Sequence, residues 1–298
     1  MNTLVLVLGS VVAAAQAAAA NSDLVRTEDW GYGDDNGPHT WQHAFPKCGS
    51  RRQSPVAILP CETEVDIPLT PFHFVGYDAE STVKITNTGH SVQVNMDSDK
   101  NMSFHEDINE WVNEDVNASV TGGSLTGEFV FHQFHFHWGA TDTRGSEHTI
   151  HHVSFPAELH LVHYRRSYGS FEEAVKYEDG VAVFAVMLEL SDTENRNLLP
   201  IVYPLRFITL PHETVTSILM LRSFLPTNVN DYFGYLGSLT TPGCDEVVQW
   251  TIFGDTIPIS SSQLKEFRML TAKDGSAMQH NFRPLQPLND REVYRSWM

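Results

Sequence analysis

One run of aromatic and histidine residues, Phe129–Trp138, constrains the fold more than any other part of the sequence. Aromatic and β-branched residues favour a strand, in which alternate side chains point to the same face. A strand here would turn Gln133, His135 and His137 to one side and its Phe and Trp side chains to the other. The segment therefore predicts a sheet with one face against an apolar core and one face that carries two imidazoles.

Further strands are indicated by runs of β-branched and aromatic residues, whereas helical patterns are few and short. The strand candidates are 82–86, 91–96, 157–164, 181–190 and 247–253. Serines followed three residues later by Glu or Gln, at 170–173 and 260–263, predict the starts of two short helices. With no repeat and no linker, the chain is expected to form a single mostly β (α+β) domain with short surface helices.

The first 20 residues resemble a secretory signal peptide. They carry no charged side chain, and the apolar stretch 4–15 is followed by small residues that suit cleavage near 18–20. No basic residue precedes this stretch, and a membrane anchor is the alternative, but the stretch is short for a membrane span. We expect a secreted, extracellular protein. The polar C-terminal residues REVYRSWM also lack the tail of a lipid-anchor signal.

The charge balance excludes one class of partner and favours another. With 37 acidic and 19 basic residues, the formal net charge is −18. Such a surface repels nucleic acid and anionic lipid, so no nucleic-acid role is expected. The same surface attracts cations, which leaves room for cation binding or association with a mineral matrix.

Export would permit disulfides and N-linked glycans. The three cysteines Cys48, Cys61 and Cys244 allow one pair and one leftover thiol, and spacing alone does not select the pair. Asn101 and Asn117 each begin an Asn-x-Ser tripeptide and are predicted glycosylation sites in an exposed, polar region.

Two imidazoles that lie two residues apart on a strand suit one metal ion, and catalytic zinc usually takes three protein ligands with one open position. The candidate strand 157–164 offers a third ligand, because it would place Glu158 and His160 on one face and His163 on the other. Glu158 would fix the tautomer of His160, as Gln133 would for a histidine of the first strand. His160 is therefore the predicted ligand, and His163 is assigned a structural role.

Motifs along the chain resemble those of the α-class carbonic anhydrases, in particular the extracellular members. They are WGYG with NGP within residues 30–41, QSP at 53–55, SEHT at 146–149, SLTTP at 238–242 and NFRPLQPL at 281–288. The resemblance covers nearly all of the sequence after the predicted signal. It implies one domain over residues 22–298, built on a large, mainly antiparallel twisted sheet.

The resemblance implies zinc bound by the neutral imidazoles of His135, His137 and His160, with Asn281 supporting the ligands. The reaction would be the reversible hydration of carbon dioxide to bicarbonate and a proton, through zinc-bound hydroxide. Weak esterase activity would be compatible with the same site.

Other family positions carry over by the same motifs. Thr240 would orient the hydroxide while Glu147 accepts the threonine proton, and His90 would shuttle protons to solvent. Thr88 and Gln93 stand where asparagines often order the water chain, so a rate below the fastest members is expected. The substrate pocket would be lined by Val162, Val183, Leu239, Thr241 and Trp250. Extracellular relatives commonly link cysteines at the positions of Cys48 and Cys244.

Two other classes compete with this interpretation. A non-catalytic relative used for binding or matrix assembly would keep the fold but lose ligands, and here all the ligand positions are filled. A generic zinc hydrolase lacks support, because no His-Glu-x-x-His pattern is present. The remaining histidines of the central region, His132, His151 and His152, are expected to be ordinary surface or hydrogen-bonded residues.

Overall fold

The computed structural model describes residues 30–65, 70–97, 102–105, 110–113 and 118–296. The predicted signal peptide at 1–20 and both predicted glycosylation sites, Asn101 and Asn117, lie outside the described residues. Within those ranges, no helix combines the length and the apolar character that a membrane span requires.

The described residues form many strands and few helices. The strands are β1 (Ala57–Ile58), β2 (Glu64–Val65), β3 (Thr70–Val75), β4 (Glu80–Asn87), β5 (Val92–Met96), β6 (Met102–His105), β7 (Glu110–Asn113), β8 (Ser119–Gly123), β9 (Phe129–Trp138), β10 (Thr149–Ile150), β11 (Ala157–Arg165), β12 (Val181–Ser191), β13 (Thr214–Met220), β14 (Tyr232–Gly237), β15 (Val248–Phe253), β16 (Ile257–Ser260) and β17 (Tyr294–Arg295). The α-helices are α1 (Trp41–Ala44), α2 (Phe171–Ala174), α3 (Leu199–Val202) and α4 (Ser261–Arg268). Short 3-10 helices lie at Pro46–Gly49, Pro60–Glu62, Arg166–Tyr168, Arg196–Leu198, Tyr203–Phe207 and Leu221–Phe224.

One sheet dominates the described part of the chain. Ten of its 13 strands follow the order β13-β4-β5-β9-β11-β12-β15-β14-β17-β2. Of the other three, β16 lies beside β12, β8 beside β9, and β3 beside β8. Most neighbours are antiparallel, but β12 runs parallel to both β15 and β16, and β17 runs parallel to β2. The mostly β fold with a large, mainly antiparallel sheet is thus confirmed, and its centre contains a parallel step.

The two faces of the central strands bury different clusters. Phe134, Phe136 and Trp138 of β9 lie in the larger core with the odd-numbered leucines of β11. On the opposite face, Val162 of β11 and Trp250 of β15 belong to a second cluster. Each fully buried side chain of this size contributes about 1.5–3 kcal/mol. Apolar and polar side chains alternate along β9, so the strand packs one apolar face on the core and turns the other face away from it.

The two short helices begin where the sequence places their caps. At α4 the full capping box forms: the Ser260 side chain accepts from the Gln263 amide, and the Gln263 side chain accepts from the Ser260 amide. At α2 the Ser170 side chain accepts from the Glu173 amide, and the helix spans only one turn. The caps satisfy amides that a helix start leaves without partners.

His163 occupies the core face of β11, opposite to that of His160. Its Nε2 shares a hydrogen bond with the Tyr77 hydroxyl, and its Nδ1 donates to the Leu161 carbonyl at 3.1 Å. Burial lowers the pKa of His163 to about 3, so the ring is neutral at physiological pH. This histidine is a satisfied core residue.

A disulfide joins Cys48 to Cys244 and ties the N-terminal segment to the loop after β14. Polar contacts surround it: Gln53 donates to the Cys244 carbonyl at 3.1 Å, and Arg283 donates to the Cys48 carbonyl at 2.9 Å. The expected cysteine pairing is confirmed. Cys61 is left as an exposed free thiol.

We expect replacement of the disulfide in the double variant Cys48→Ser/Cys244→Ser to lower the free energy of unfolding. The bridge closes a loop with a sequence separation of 196 residues, for which the chain-entropy model gives about 5 kcal/mol as an upper value. Urea denaturation followed by tryptophan fluorescence measures the loss. Cys61→Ser is the matched control and should unfold like the parent protein. Equal midpoints for the double variant and the control would contradict a stabilising role.

Candidate metal centre

The pairing of β9 with β11 brings three histidines together. The register sets His135 directly opposite His160 and His137 opposite Glu158. The nitrogen atoms that the three histidines offer all lie within 4.8 Å of one another. Three imidazoles converging in this way fit a tetrahedral zinc site with one open position, for which Zn–N bonds of about 2.0–2.1 Å are usual.

Two of these histidines hold one ring nitrogen in a hydrogen bond and leave the other for a metal. His135 Nδ1 lies 2.9 Å from Gln133 Oε1, and His137 Nδ1 donates to the Asn281 carbonyl at 2.7 Å. Since a carbonyl oxygen only accepts, Nε2 of a neutral His137 carries a lone pair. That Nε2 is buried and has no hydrogen-bond partner in the described part of the chain. An orphaned buried nitrogen is costly unless it binds a ligand, so the site fits a metal ion.

The third histidine is held from its other ring nitrogen. His160 Nε2 lies 2.6 Å from Glu158 Oε1, which leaves Nδ1 toward the other two histidines. Burial by itself raises the pKa of Glu158, but the charges and hydrogen bonds of His148 and His160 hold this pKa well below its usual range. The ionised carboxylate therefore accepts a hydrogen bond from Nε2–H of His160 and fixes its tautomer.

Burial also sets the charge of the other two rings. It is the main cause that lowers the pKa of His137 and that holds the pKa of His135 well below its usual range. Neighbouring imidazoles lower both values further. Both rings are therefore neutral near pH 7, the form in which imidazole binds a metal.

A second group, His148 with Glu158 and His160, also places possible ligand atoms within 4.8 Å of one another. Its nitrogens are already used, since His148 bonds Glu158 through Nδ1 and the Tyr235 hydroxyl through Nε2, both at 2.7 Å. The Tyr235 hydroxyl in turn donates to Ser54 at 2.8 Å. This group is a satisfied polar network and not a second metal site.

The three-histidine centre opens into a cavity of about 220 Å³. Its lining residues are Gln93, His132, Gln133, His135, His160, Val162, Phe171, Val183, Leu239, Thr240, Thr241 and Trp250. Strand register builds the apolar wall, because Val162 lies opposite Val183 and Val183 lies opposite Trp250. All the substrate-pocket residues expected from the sequence therefore line one cavity, together with two of the three candidate ligands.

The loop after β14 reaches this cavity from a fixed anchor. Ser238 and Ser54 exchange two hydrogen bonds of 3.0 Å, each from the amide of one residue to the hydroxyl of the other. The Trp250 indole donates to the Ser238 carbonyl at 3.1 Å, and the Cys244 amide donates to the Thr241 carbonyl at 2.9 Å. The segment that carries Leu239, Thr240 and Thr241 is thus held at both ends.

The expected hydrogen bond from Thr240 to Glu147 is not formed among the described residues. Glu147 Oε1 accepts from the Arg283 amide at 2.8 Å, while Oε2 is buried without a hydrogen-bond partner there. The carboxylate is turned by the Arg283 amide so that Oε2 lies 3.9 Å from Nδ1 of His160. Glu147 therefore faces the metal centre with an unused oxygen.

His90, the expected proton shuttle, is not among the residues that line the three-histidine cavity. Its ring stacks on Trp30, with ring centroids 3.8 Å apart and planes 9° from parallel. Both rings line a neighbouring cavity of about 220 Å³. The hydroxyl oxygen of Thr88 accepts hydrogen bonds from the amides of His90 and Ser91 and so stabilises the backbone of this turn.

Two residues that line the cavity, His132 and Phe171, were not predicted to do so. Strict alternation places His132 on the core face with Phe134, and the residue was expected to be ordinary. The pairing shifts by one residue between Val162 and His163, so a bulge turns His132 into the cavity. No feature of a single sequence marks such a bulge, although its frequency near active sites is a general guide.

Comparison with known proteins agrees with this geometry. A sequence model described as eukaryotic-type carbonic anhydrase matches residues 36–297. Carbonic anhydrase 7 of Homo sapiens is 40% identical over 276 residues, which cover 90% of this chain and 97% of that protein. Carbonic anhydrase 7 of Mus musculus is 39% identical over the same shares. The chain belongs to the eukaryotic-type carbonic anhydrases, a family of zinc enzymes.

Proposed function

We propose that this chain catalyses the reversible hydration of carbon dioxide to bicarbonate and a proton, with zinc held by His135, His137 and His160. The observation that carries the proposal is the convergence of three imidazoles, of which His137 leaves a buried nitrogen without a protein partner. When bound, zinc supplies a positive charge that lowers the pKa of a coordinated water and so provides a nucleophile.

The substrate pocket suits a small apolar molecule. The aliphatic and aromatic side chains of Val162, Val183, Leu239 and Trp250 form an apolar wall beside the metal centre. Thr241 adds a polar group on the loop side of the same cavity. Carbon dioxide would lie against this wall, next to His135 and His160. Because carbon dioxide forms few hydrogen bonds with water, an apolar wall costs it little.

Thr240 is proposed to orient the nucleophile through its hydroxyl. The threonine is buried in the cavity, and Oε2 of Glu147 has no hydrogen-bond partner among the described residues. A buried carboxylate oxygen without a partner is free to accept a hydrogen bond. Glu147 would accept the Thr240 proton, so that the threonine oxygen accepts a hydrogen bond at the metal centre.

His90 is proposed to release protons to solvent from the cavity beside the metal centre. Asn281 connects the two regions, because its side chain donates to the His90 carbonyl at 3.0 Å while its own carbonyl holds His137 at 2.7 Å. The His90 ring stacks on Trp30 and is half-buried, so part of it is exposed to solvent, with which an imidazole exchanges protons.

The secreted character is part of the proposal. The Cys48–Cys244 disulfide supports it, because disulfides persist in oxidising compartments. The chain would lose its signal near residues 18–20 and carry glycans at Asn101 and Asn117. Expression in secreting cells, followed by intact-mass and N-terminal analysis of the medium, tests this. Recovery of the chain only inside the cells, with residues 1–20 intact, would contradict it.

We expect His160→Ala to abolish carbon dioxide hydration, because two imidazoles with no third ligand hold zinc weakly. The measurement is stopped-flow carbon dioxide hydration by the variant and the parent protein, with zinc content determined on the same samples. The parent protein should contain about one zinc per chain. His43→Ala, which removes an exposed histidine, is the control and should keep both zinc and activity.

Two outcomes of that experiment argue against the proposal in different ways. Zinc without turnover in the parent protein would favour a binding or mineral-matrix role, for which calcium binding that survives zinc removal is the check. Full activity in His160→Ala would show that the ligand set is wrong.

We expect Thr240→Val to lower kcat/KM for hydration about 100-fold, the effect typical of a misplaced reacting group, without loss of zinc. Valine keeps the shape of the side chain but removes the hydroxyl. Thr240→Ser, which restores the hydroxyl, should recover most of the activity. Equal rates for the valine and serine variants would show that the hydroxyl orients nothing.

A further inference from the structure

His132 is a titratable side chain in the three-histidine cavity for which the proposed mechanism has no role. Opposite it on β11 the register runs from Val162, paired with Gln133, directly to His163, paired with Phe131. His132 is thus the extra residue of a β-bulge. A bulge re-aims a side chain, and here it places His132 on the same cavity as Gln133.

The ring of His132 is held in place by aromatic contacts. It lies parallel to Phe171, the first residue of α2, with centroids 4.2 Å apart and planes 4° from parallel. Tyr164 contacts it edge-on, with centroids 6.3 Å apart. Its ring nitrogens form no hydrogen bond with the protein in the described ranges, and the side chain is half-buried. The ring is therefore oriented by stacking, and both nitrogens remain available to water.

Burial keeps His132 neutral near pH 7, against the effect of one nearby charge. Burial lowers its pKa, and the exposed carboxylate of Glu172 on α2 opposes this shift. From β11, the titratable neighbours are Tyr164 and the neutral, buried His163. A neutral imidazole with a depressed pKa accepts a proton and gives it up readily to a base in solution.

The positions of the two candidate proton carriers differ. His90 stacks on Trp30 and lines the neighbouring cavity, whereas His132 lines the cavity that contains His135 and His160. We propose that His132 is a proton-transfer residue of this cavity, which takes protons from its water and passes them to solvent in parallel with His90. The proposal rests on the proposed function, because carbon dioxide hydration is the source of those protons.

The proton balance of this step is closed. Hydration converts one carbon dioxide and one water into one bicarbonate and one proton. The neutral ring of His132 accepts that proton, relayed by the water of the cavity, and becomes an imidazolium. It then transfers that proton to a buffer base outside the cavity and returns to its neutral form. No oxidant, reductant or further reactant is needed.

The first test separates proton transfer from hydration. In weakly buffered solution, we expect His132→Ala to lower kcat about tenfold while kcat/KM for carbon dioxide stays within about twofold. The loss is smaller than the ~10²–10⁴-fold typical of general acid–base groups, because His90 and dissolved buffer remain. Concentrated imidazole buffer should restore kcat. His73→Ala, which removes an exposed histidine of β3, is the matched control.

The second test reads the ring directly and does not depend on activity. Nitrogen-15 NMR of the histidine side chains, assigned by the signal lost in His132→Gln, gives the pKa of His132. Glu172→Gln should lower that pKa, because the carboxylate that opposes the burial effect is removed. The kcat profile should move to lower pH by the same amount.

The outcomes are distinct. Unchanged kcat in His132→Ala at low buffer, or equal falls in kcat and kcat/KM that imidazole does not rescue, would overturn the proposal. A pKa of His132 that does not respond to Glu172→Gln would also count against it. Absence of hydration by the parent protein would overturn the proposed function, and this proposal with it.

Discussion

The buried carboxylate of Glu158 is the interaction on which the metal centre depends. It has no exposed surface, and it accepts hydrogen bonds from the amides of Glu147 and His148 at 2.7 and 2.8 Å and from two imidazoles at 2.6 and 2.7 Å. An ionised carboxylate without partners would cost several kcal/mol to bury. The four donors make its position obligatory, so His160 and the loop that carries Glu147 are fixed together.

The same network extends to the loop on the other side of the cavity. From Glu158 it passes through His148 and the Tyr235 hydroxyl to Ser54, which exchanges hydrogen bonds with Ser238. Ser238 lies two residues before Thr240. His160 and the loop that faces it therefore share one hydrogen-bonded network. Because these groups are held rigidly, they need not be reorganised at each turnover.

Most of the fold and the convergence of the three histidines could be predicted, because both follow from the alternation of side chains along strands. A period of two decides that His135 and His137 share a face, and it assigns His160 and His163 to opposite faces. The positions of Leu239, Thr240 and the Cys48–Cys244 pair could not be obtained in this way. They depend on how the loop after β14 packs against the N-terminal segment, which strand periodicity does not predict. The motif resemblance predicted them instead.

Where parity fails, the reason is local and physical. His132 would belong to the core if β9 were regular, but that face already holds Phe134, Phe136 and the other large side chains of the main cluster. An imidazole buried there would need partners for both nitrogens. The bulge moves the ring to the wet side of the sheet, where Phe171 covers one of its faces and water reaches its edge. In a regular strand, position 132 would suit an apolar side chain. Because His132 is the extra residue of a β-bulge, its imidazole faces the cavity, where it can exchange protons with water.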